Sequence, residues 1–150
     1  MSITGGCQCG RIRYEAAALG RANLCHCRMC QRATGNAFAP LVGATGIRFT
    51  GRLMRFASSD VAERGFCSDC GTPLFYAPSG TDQIELMIGT LDDPDAVSPA
   101  LHYGVESRVG WLHLADGLPD YETRPHGLSG NGPARITSRQ APIGPDTETP

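Results

Sequence analysis

Seven cysteines stand in three short runs, Cys7-Gln-Cys9, Cys25-His-Cys27-Arg-Met-Cys30 and Cys67-Ser-Asp-Cys70, and none stands apart. Thiolates one to three residues apart on a turn can face a single small cation with metal–sulfur bonds of about 2.3 Å, the geometry of a tetrahedral zinc site. A closed site built from Cys7, Cys9, Cys67 and Cys70 leaves Cys25, Cys27 and Cys30 as a three-ligand set. Structural zinc is filled by four protein ligands, whereas catalytic zinc keeps a place for water or substrate, so the odd count predicts one site of each kind. A second partition stays open on spacing alone, with Cys25/Cys27 joining Cys67/Cys70 in a ribbon-like cage. A redox pair at Cys67/Cys70 is disfavoured because no βαβ pattern surrounds it. Disulfides fit poorly, since pairs as close as Cys7/Cys9 close strained rings.

The side chains around the three-cysteine run supply candidates for chemistry. His26 lies between two ligand cysteines and is expected to point away from their metal. Arg28 and Arg32 flank the same run and suit carboxylates, against the alternative of solvated surface charge. Trp111 is expected to be a core aromatic with Arg108 at its edge.

These residues need a scaffold, and the pattern between them is that of strands. Period-two alternation in 11–15, 47–50, 53–56 and 83–88 predicts half-buried strands, and 38–42 and 74–77 are apolar runs that would pair with them. Gly51 predicts a tight turn between the second and third. Helix is expected only at 29–34 and 92–97. The fold class is therefore mainly β. From about residue 124 the sequence turns to Gly, Pro, Ser and Thr without periodicity, so a domain over 1–123 and a disordered tail over 124–150 are expected.

The chain has 150 residues, enough for one domain. Its 19 Gly and 11 Pro predict many turns, and metal crosslinks would help such a chain fold. All 13 positive residues are Arg, and the net charge is −2, which gives no electrostatic surplus for nucleic acid or an anionic membrane. The first residues show neither a charged leader nor an apolar one, and no stretch reaches the ~18 apolar residues of a membrane span, so a cytoplasmic protein is expected.

The ordered series Gly-Gly-Cys7-Gln-Cys9-Gly10, Cys25-His-Cys27-Arg-Met-Cys30-Gln-Arg-Ala-Thr34-Gly35, Phe66-Cys67-Ser-Asp-Cys70-Gly71-Thr-Pro-Leu-Phe75 and Gly89-Thr-Leu-Asp-Asp-Pro94 resembles the glutathione-dependent formaldehyde-activating enzyme family, which also includes centromere protein V. Ser107-Arg108, Trp111 and Asp116-Gly-Leu-Pro-Asp-Tyr-Glu122 agree with the same family. The resemblance implies a β-tent of antiparallel sheets, a structural zinc on Cys7, Cys9, Cys67 and Cys70, and a catalytic zinc on Cys25, Cys27 and Cys30. It implies a carbon–sulfur lyase-type activity, run in synthesis as addition of the glutathione thiol to formaldehyde, with small thiols and aldehydes as partners. His26 and Arg28 are then the candidate catalytic residues, with His102 a second proton carrier. Arg32 and Arg108 are the candidate contacts for the carboxylates of glutathione. The alternative within the same resemblance is a zinc-stabilised, non-catalytic protein-binding module.

Overall fold

The computed structural model describes residues 3–124, 127, 130 and 135–140. A small sheet holds β1 (Ile3–Gly6), β2 (Arg13–Ala16) and one later strand. The remaining strands up to the turn of the chain are β3 (Ala18–Cys25), β4 (Ala39–Thr45), β5 (Arg48–Thr50), β6 (Leu53–Ala57), β7 (Ala62–Cys67), β8 (Pro73–Pro78) and β9 (Ile84–Met87), with two short ones, β10 (His102–Tyr103) and β11 (Asp120–Tyr121), near the end. β5 completes the three-stranded sheet in the order β1-β2-β5, and the others form an eight-stranded sheet in the order β11-β10-β3-β4-β9-β8-β7-β6. Pairing is antiparallel except at one edge, where β10 runs parallel to both β3 and β11. The expectation of a mainly β molecule of antiparallel sheets with little helix holds, and that parallel edge is the departure from it.

The tight turn expected at Gly51 is found (φ 93°), but the strands on either side of it do not pair with each other: β5 pairs with β2 and β6 with β7. The turn hands the chain from one sheet to the other. The expected pairing of 83–88 with the apolar runs is found, β9 lying between β4 and β8. The segment expected to be helical over 92–97 is a single 3-10 turn, Pro94–Ala96.

Side-chain alternation on the central strands feeds two separate apolar clusters. On β4, Val42 and Ala44 join Ile12, Tyr14, Ala16, Leu74, Phe75 and Leu86 between the sheets, while Ala39 and Leu41 face the other way and pack with Cys25, Cys30 and Met87. β9 divides likewise, Leu86 to the first and Met87 to the second. Such a strand must be apolar on both faces, which is why the run Ala39-Pro-Leu-Val42 lacks clean alternation. Rings chain the first cluster together: Tyr14 meets Phe49 edge-on at 5.6 Å, and Phe49 meets Phe75 at 5.3 Å. A fully buried side chain such as Phe75 or Leu86 contributes about 1.5–3 kcal/mol relative to exposure.

The one α-helix among the described residues, α1 (Arg28–Thr34), starts where β3 ends. Cys27 is its N-cap and Gly35, in the left-handed region, closes it by donating its N–H to the Gln31 carbonyl. At the other end of the chain, much of the stretch expected to be disordered lies outside the described residues. Within it, residues 135–140 are described, and Ser138 forms an antiparallel bridge to Ser59.

Candidate metal centres

The first centre joins parts of the chain 60 residues apart through two turns of similar build. In the earlier turn Gly10 N–H donates to the Cys7 carbonyl and Cys7 N–H to the Ile12 carbonyl, both at 3.0 Å. In the later one Gly71 N–H donates to the Cys67 carbonyl at 2.9 Å and Cys67 N–H to the Thr72 carbonyl at 3.0 Å. Gly10 (φ 77°) and Gly71 (φ 74°) supply the left-handed residue that turns each exit back toward its first cysteine. Gln8 N–H donates to the Thr72 hydroxyl at 3.1 Å and ties one turn to the other. The result is that the sulfurs of Cys7, Cys9, Cys67 and Cys70 all lie within 4.8 Å of one another. Ile12 N–H points at the Cys7 sulfur (3.2 Å), and the Thr72 hydroxyl meets that of Cys70 (3.1 Å), which holds the Cys70 thiol down to about 6.

The second centre is local. Cys25 ends β3, Cys27 caps α1 and Cys30 sits in its first turn, and their sulfurs lie within 4.8 Å of one another. Cys30 N–H donates to the Cys27 sulfur at 3.4 Å. Cys27 is pulled down to about 3 by hydrogen bonds from the Cys25 and Cys30 thiols, with the Cys30 N–H and the Arg64 charge adding to it. Cys25 is pushed far up by the same sharing. Gly104 (φ 67°) passes so close that a Cβ there would lie 2.9 Å from the Cys27 nitrogen. Only glycine fits that approach.

Both donor sets are purely sulfur, which suits zinc among the common divalent cations. The chain thus holds two cysteine clusters that can bind metal ions, partitioned four and three, and the cage of Cys25/Cys27 with Cys67/Cys70 is excluded. Among the described residues no histidine or carboxylate joins the three-sulfur group.

Polar side chains are packed around this second centre. Arg64, on β7 and only 7% exposed, donates from Nη2 to the Cys30 sulfur at 3.4 Å and lies over the Tyr76 ring at 5.0 Å. Its Nη1 is buried without a partner among the described residues. Gln31 is buried and donates to the carbonyls of His26 (2.7 Å) and Ser107 (2.9 Å), fastening α1 to the segment after β10. Glu85 accepts from Asn23 at 3.2 Å, and burial, then the neighbouring Cys30, raises its carboxyl above the usual range.

His26 is fully buried and faces away from the sulfurs' shared space. Its Nε2 meets His102 Nδ1 at 2.9 Å, and His102 Nε2 meets the Asp116 carboxylate at 3.1 Å. The carboxylate can only accept, so His102 carries its proton on Nε2 and accepts at Nδ1 from the Nε2–H of His26. Among the described residues His26 Nδ1 has no partner and is left as a buried acceptor. Burial, then the Arg108 charge, lowers His26 to about 4, in keeping with a neutral ring.

Beside the second centre lies a cleft of about 390 Å³ between α1 and the β6–β7–β8 region. Its walls are apolar at Met29, Phe56, Phe66 and Met87, with Arg32, Arg64 and Arg139 as its charged members. Arg64 belongs to both places, one nitrogen on Cys30 and the guanidinium in the cleft wall.

The sequence over residues 2–107 matches the family described as glutathione-dependent formaldehyde-activating enzyme. The chain belongs to that family. Membership implies a glutathione-dependent formaldehyde-activating or related zinc-binding function. A crystal structure of a Rhodobacter sphaeroides protein is similar at 18% identity, covering 79% of this chain and 98% of that one, with a TM-score of 0.47.

Within this family member the remaining candidates fall out as follows. Arg28 is exposed and its guanidinium is held by the Gln31 side chain. Arg32 is exposed on α1 and lines the cleft. Arg108 grips Asp120 with both terminal nitrogens, at 2.6 and 3.1 Å, so its fork is already filled by a carboxylate of the same chain. Trp111 is 74% exposed, which corrects the expectation of a core aromatic. The loop 108–115 lies outside both sheets. Arg64, Gln31, Glu85 and Asp116 were missed. Arg64 gave no signal: alternation counted back from Cys67 puts Gly65 and Glu63 on its face and Arg64 on the other, and buried residues occur on both faces of β7. No helix of the described residues is long and apolar enough to cross a membrane.

Proposed function

We propose that this family member catalyses the reversible addition of the glutathione thiol to formaldehyde or a similarly small aldehyde. In that reaction the sulfur–carbon bond forms as the carbonyl π bond opens, and the thiol proton ends on the new hydroxyl. The observation that carries the reading is the contrast in ligand number: four sulfurs at one centre, and three at the other with no fourth donor among the described residues.

Cys7, Cys9, Cys67 and Cys70 would hold a structural zinc, and Cys25, Cys27 and Cys30 a second. Zinc bound at the second place supplies an electrophilic centre that lowers the pKa of an added thiol, so that thiolate exists at neutral pH. The chain's own residues do the rest. Cys30 N–H and the Arg64 guanidinium orient two of the three sulfurs and offset their charge. The Gln31 carboxamide holds the Cys25–Cys27 turn in shape through the His26 carbonyl. His26, His102 and Asp116 fix that turn from behind and are positioning residues rather than proton carriers to substrate, since His26 has its Nε2 committed to His102.

The test is cobalt substitution followed by glutathione titration, with formaldehyde–glutathione adduct formation measured in parallel. New sulfur-to-metal charge-transfer absorption and accelerated adduct formation are expected, both lost in Cys25→Ser, Cys27→Ser and Cys30→Ser. A spectrum indifferent to small thiols together with the uncatalysed rate would overturn the enzyme reading and favour the non-catalytic binding module.

A further inference from the structure

The family match ends at residue 107, yet the chain returns to the cleft some thirty residues later. Residues 137–139 dock on the turn between β6 and β7. Asp60 N–H donates to the Thr137 carbonyl (3.1 Å), Thr137 N–H to the Asp60 carboxylate (2.9 Å) and Arg139 N–H to the Ser58 carbonyl (3.0 Å), around the Ser59–Ser138 bridge. Ser58 and Ser59 are buried there. This docking brings Arg139 and Gln140 into the wall of the cleft opposite α1.

We infer that this C-terminal segment is a working wall of the ligand site, with Arg139 and Gln140 determining specificity for a carboxylate-bearing, peptide-like ligand. Three observations converge on it. The cleft lining contains Arg32, Arg64 and Arg139 and no carboxylate. Arg64 and Arg139 form no ion pair among the described residues. Two lining groups have a buried polar atom without a partner among the described residues, a donor at Arg64 Nη1 and an acceptor at Gln140 Oε1. A buried orphan donor and a buried orphan acceptor in one cleft are both satisfied by a ligand that offers a carboxylate or carbonyl oxygen and an N–H. The apolar wall of Met29, Phe56 and Phe66 takes the ligand's carbon frame. The inference rests on the thiol-adding reading for the identity of the nearby reactive group, but not for the cleft itself.

The experiment uses the full-length zinc protein, calorimetric titration and three probes. These are glutathione, its analogue with α-aminobutyrate in place of cysteine, and 2-mercaptoethanol. Arg139→Ala is expected to weaken glutathione and the thiol-free analogue about tenfold, as loss of a charge-assisted hydrogen bond does, and to leave 2-mercaptoethanol within twofold. Asp60→Ala, which touches the docking and not the cleft, is expected to weaken the same two probes and spare the third. Unchanged affinities in Arg139→Ala overturn the inference. A cobalt spectrum that answers to thiols while the thiol-free analogue fails to bind overturns the inference and leaves the thiol reading standing. Binding of the analogue that depends on Arg139, with no response at cobalt, supports the inference and removes the thiol reading.

Discussion

The two cysteine centres use the same ligand in opposite ways. The first draws its four sulfurs from the end of β1 and from the β7–β8 turn, so that a bound ion joins the three-stranded sheet to the eight-stranded one. Its neighbours are backbone N–H groups, the Thr72 hydroxyl and a surface pair, Arg11 with Asp69 at 3.1 Å. The second draws three sulfurs from six consecutive residues and crosslinks nothing that the β3–α1 corner does not already hold. Around it stand a buried arginine, a buried glutamine, a half-buried glutamate and two buried histidines. Buried polar groups cost folding free energy unless paired, and crowding them at the centre that contributes least to connectivity argues that they serve chemistry there.

Cys67→Ser breaks that comparison most severely. Structural zinc contributes on the order of 10 kcal/mol of apparent folding free energy, comparable to the whole stability of an ordinary domain. The variant is expected to lose its zinc and its cooperative melting transition, which metal analysis and circular dichroism would show. A near-native melting curve would remove the structural role from this centre.

Cys30→Ser sharpens the contrast from the other side. One zinc of two is expected to leave while the strand content stays, because the β3–β4 pairing and the Leu41–Met87 contacts do not depend on the ion. The thiol-induced cobalt spectrum is expected to vanish with it. Unfolding of the whole domain would show that the two centres are not separable.

Much of this division was legible in the cysteine count, and the reason is chemical: thiolates in turns announce a metal without any knowledge of the sheet. The scaffold was less legible. β3 reads Ala-Leu-Gly-Arg-Ala-Asn-Leu-Cys, and four successive residues at its end are buried, so no alternation marks it. β7 carries Glu63, Arg64 and Gly65 and hides for the opposite reason, a buried charge on an inward face. The surroundings of the second centre come from β7, β9 and the segment after β10, which meet only through long-range pairing. Arg64 beside Cys30 and Asp116 behind His102 are products of topology, and residue spacing does not encode them.

Asp116→Asn probes that topology with a smaller effect. The amide can present its NH₂ to His102 Nε2, which reverses the proton positions along His102 and His26 or leaves one buried nitrogen unpaired. A loss of about 1–3 kcal/mol is expected, read as a lowered denaturant midpoint at constant slope, with both zinc ions retained. Loss of the second zinc would instead tie the histidine pair directly to metal binding.

The smallest effect tests a polar fastener of the small sheet. Asp92 accepts from the Thr4 hydroxyl at 2.6 Å and from both terminal nitrogens of Arg13, and its own N–H donates to the Thr4 carbonyl at 2.9 Å. The Arg13 guanidinium, then Thr4, holds its carboxyl below the usual range. A carboxyl lowered on folding adds stability above its unfolded pKa of about 3.9 and loses that stability as pH falls through the folded value. Asp92→Asn should therefore be slightly less stable than wild type near neutrality and equal to it in strong acid, where Asp92 itself is protonated. Urea midpoints measured at successive pH values should converge only below about pH 4, and the four-sulfur centre should keep its ion at pH 7 in both proteins. Curves that run parallel through the acid range would mean that the Arg13–Asp92 pair is an exposed contact of no energetic weight. The shared apolar core and the four-sulfur centre would then hold the small sheet to the large one without it.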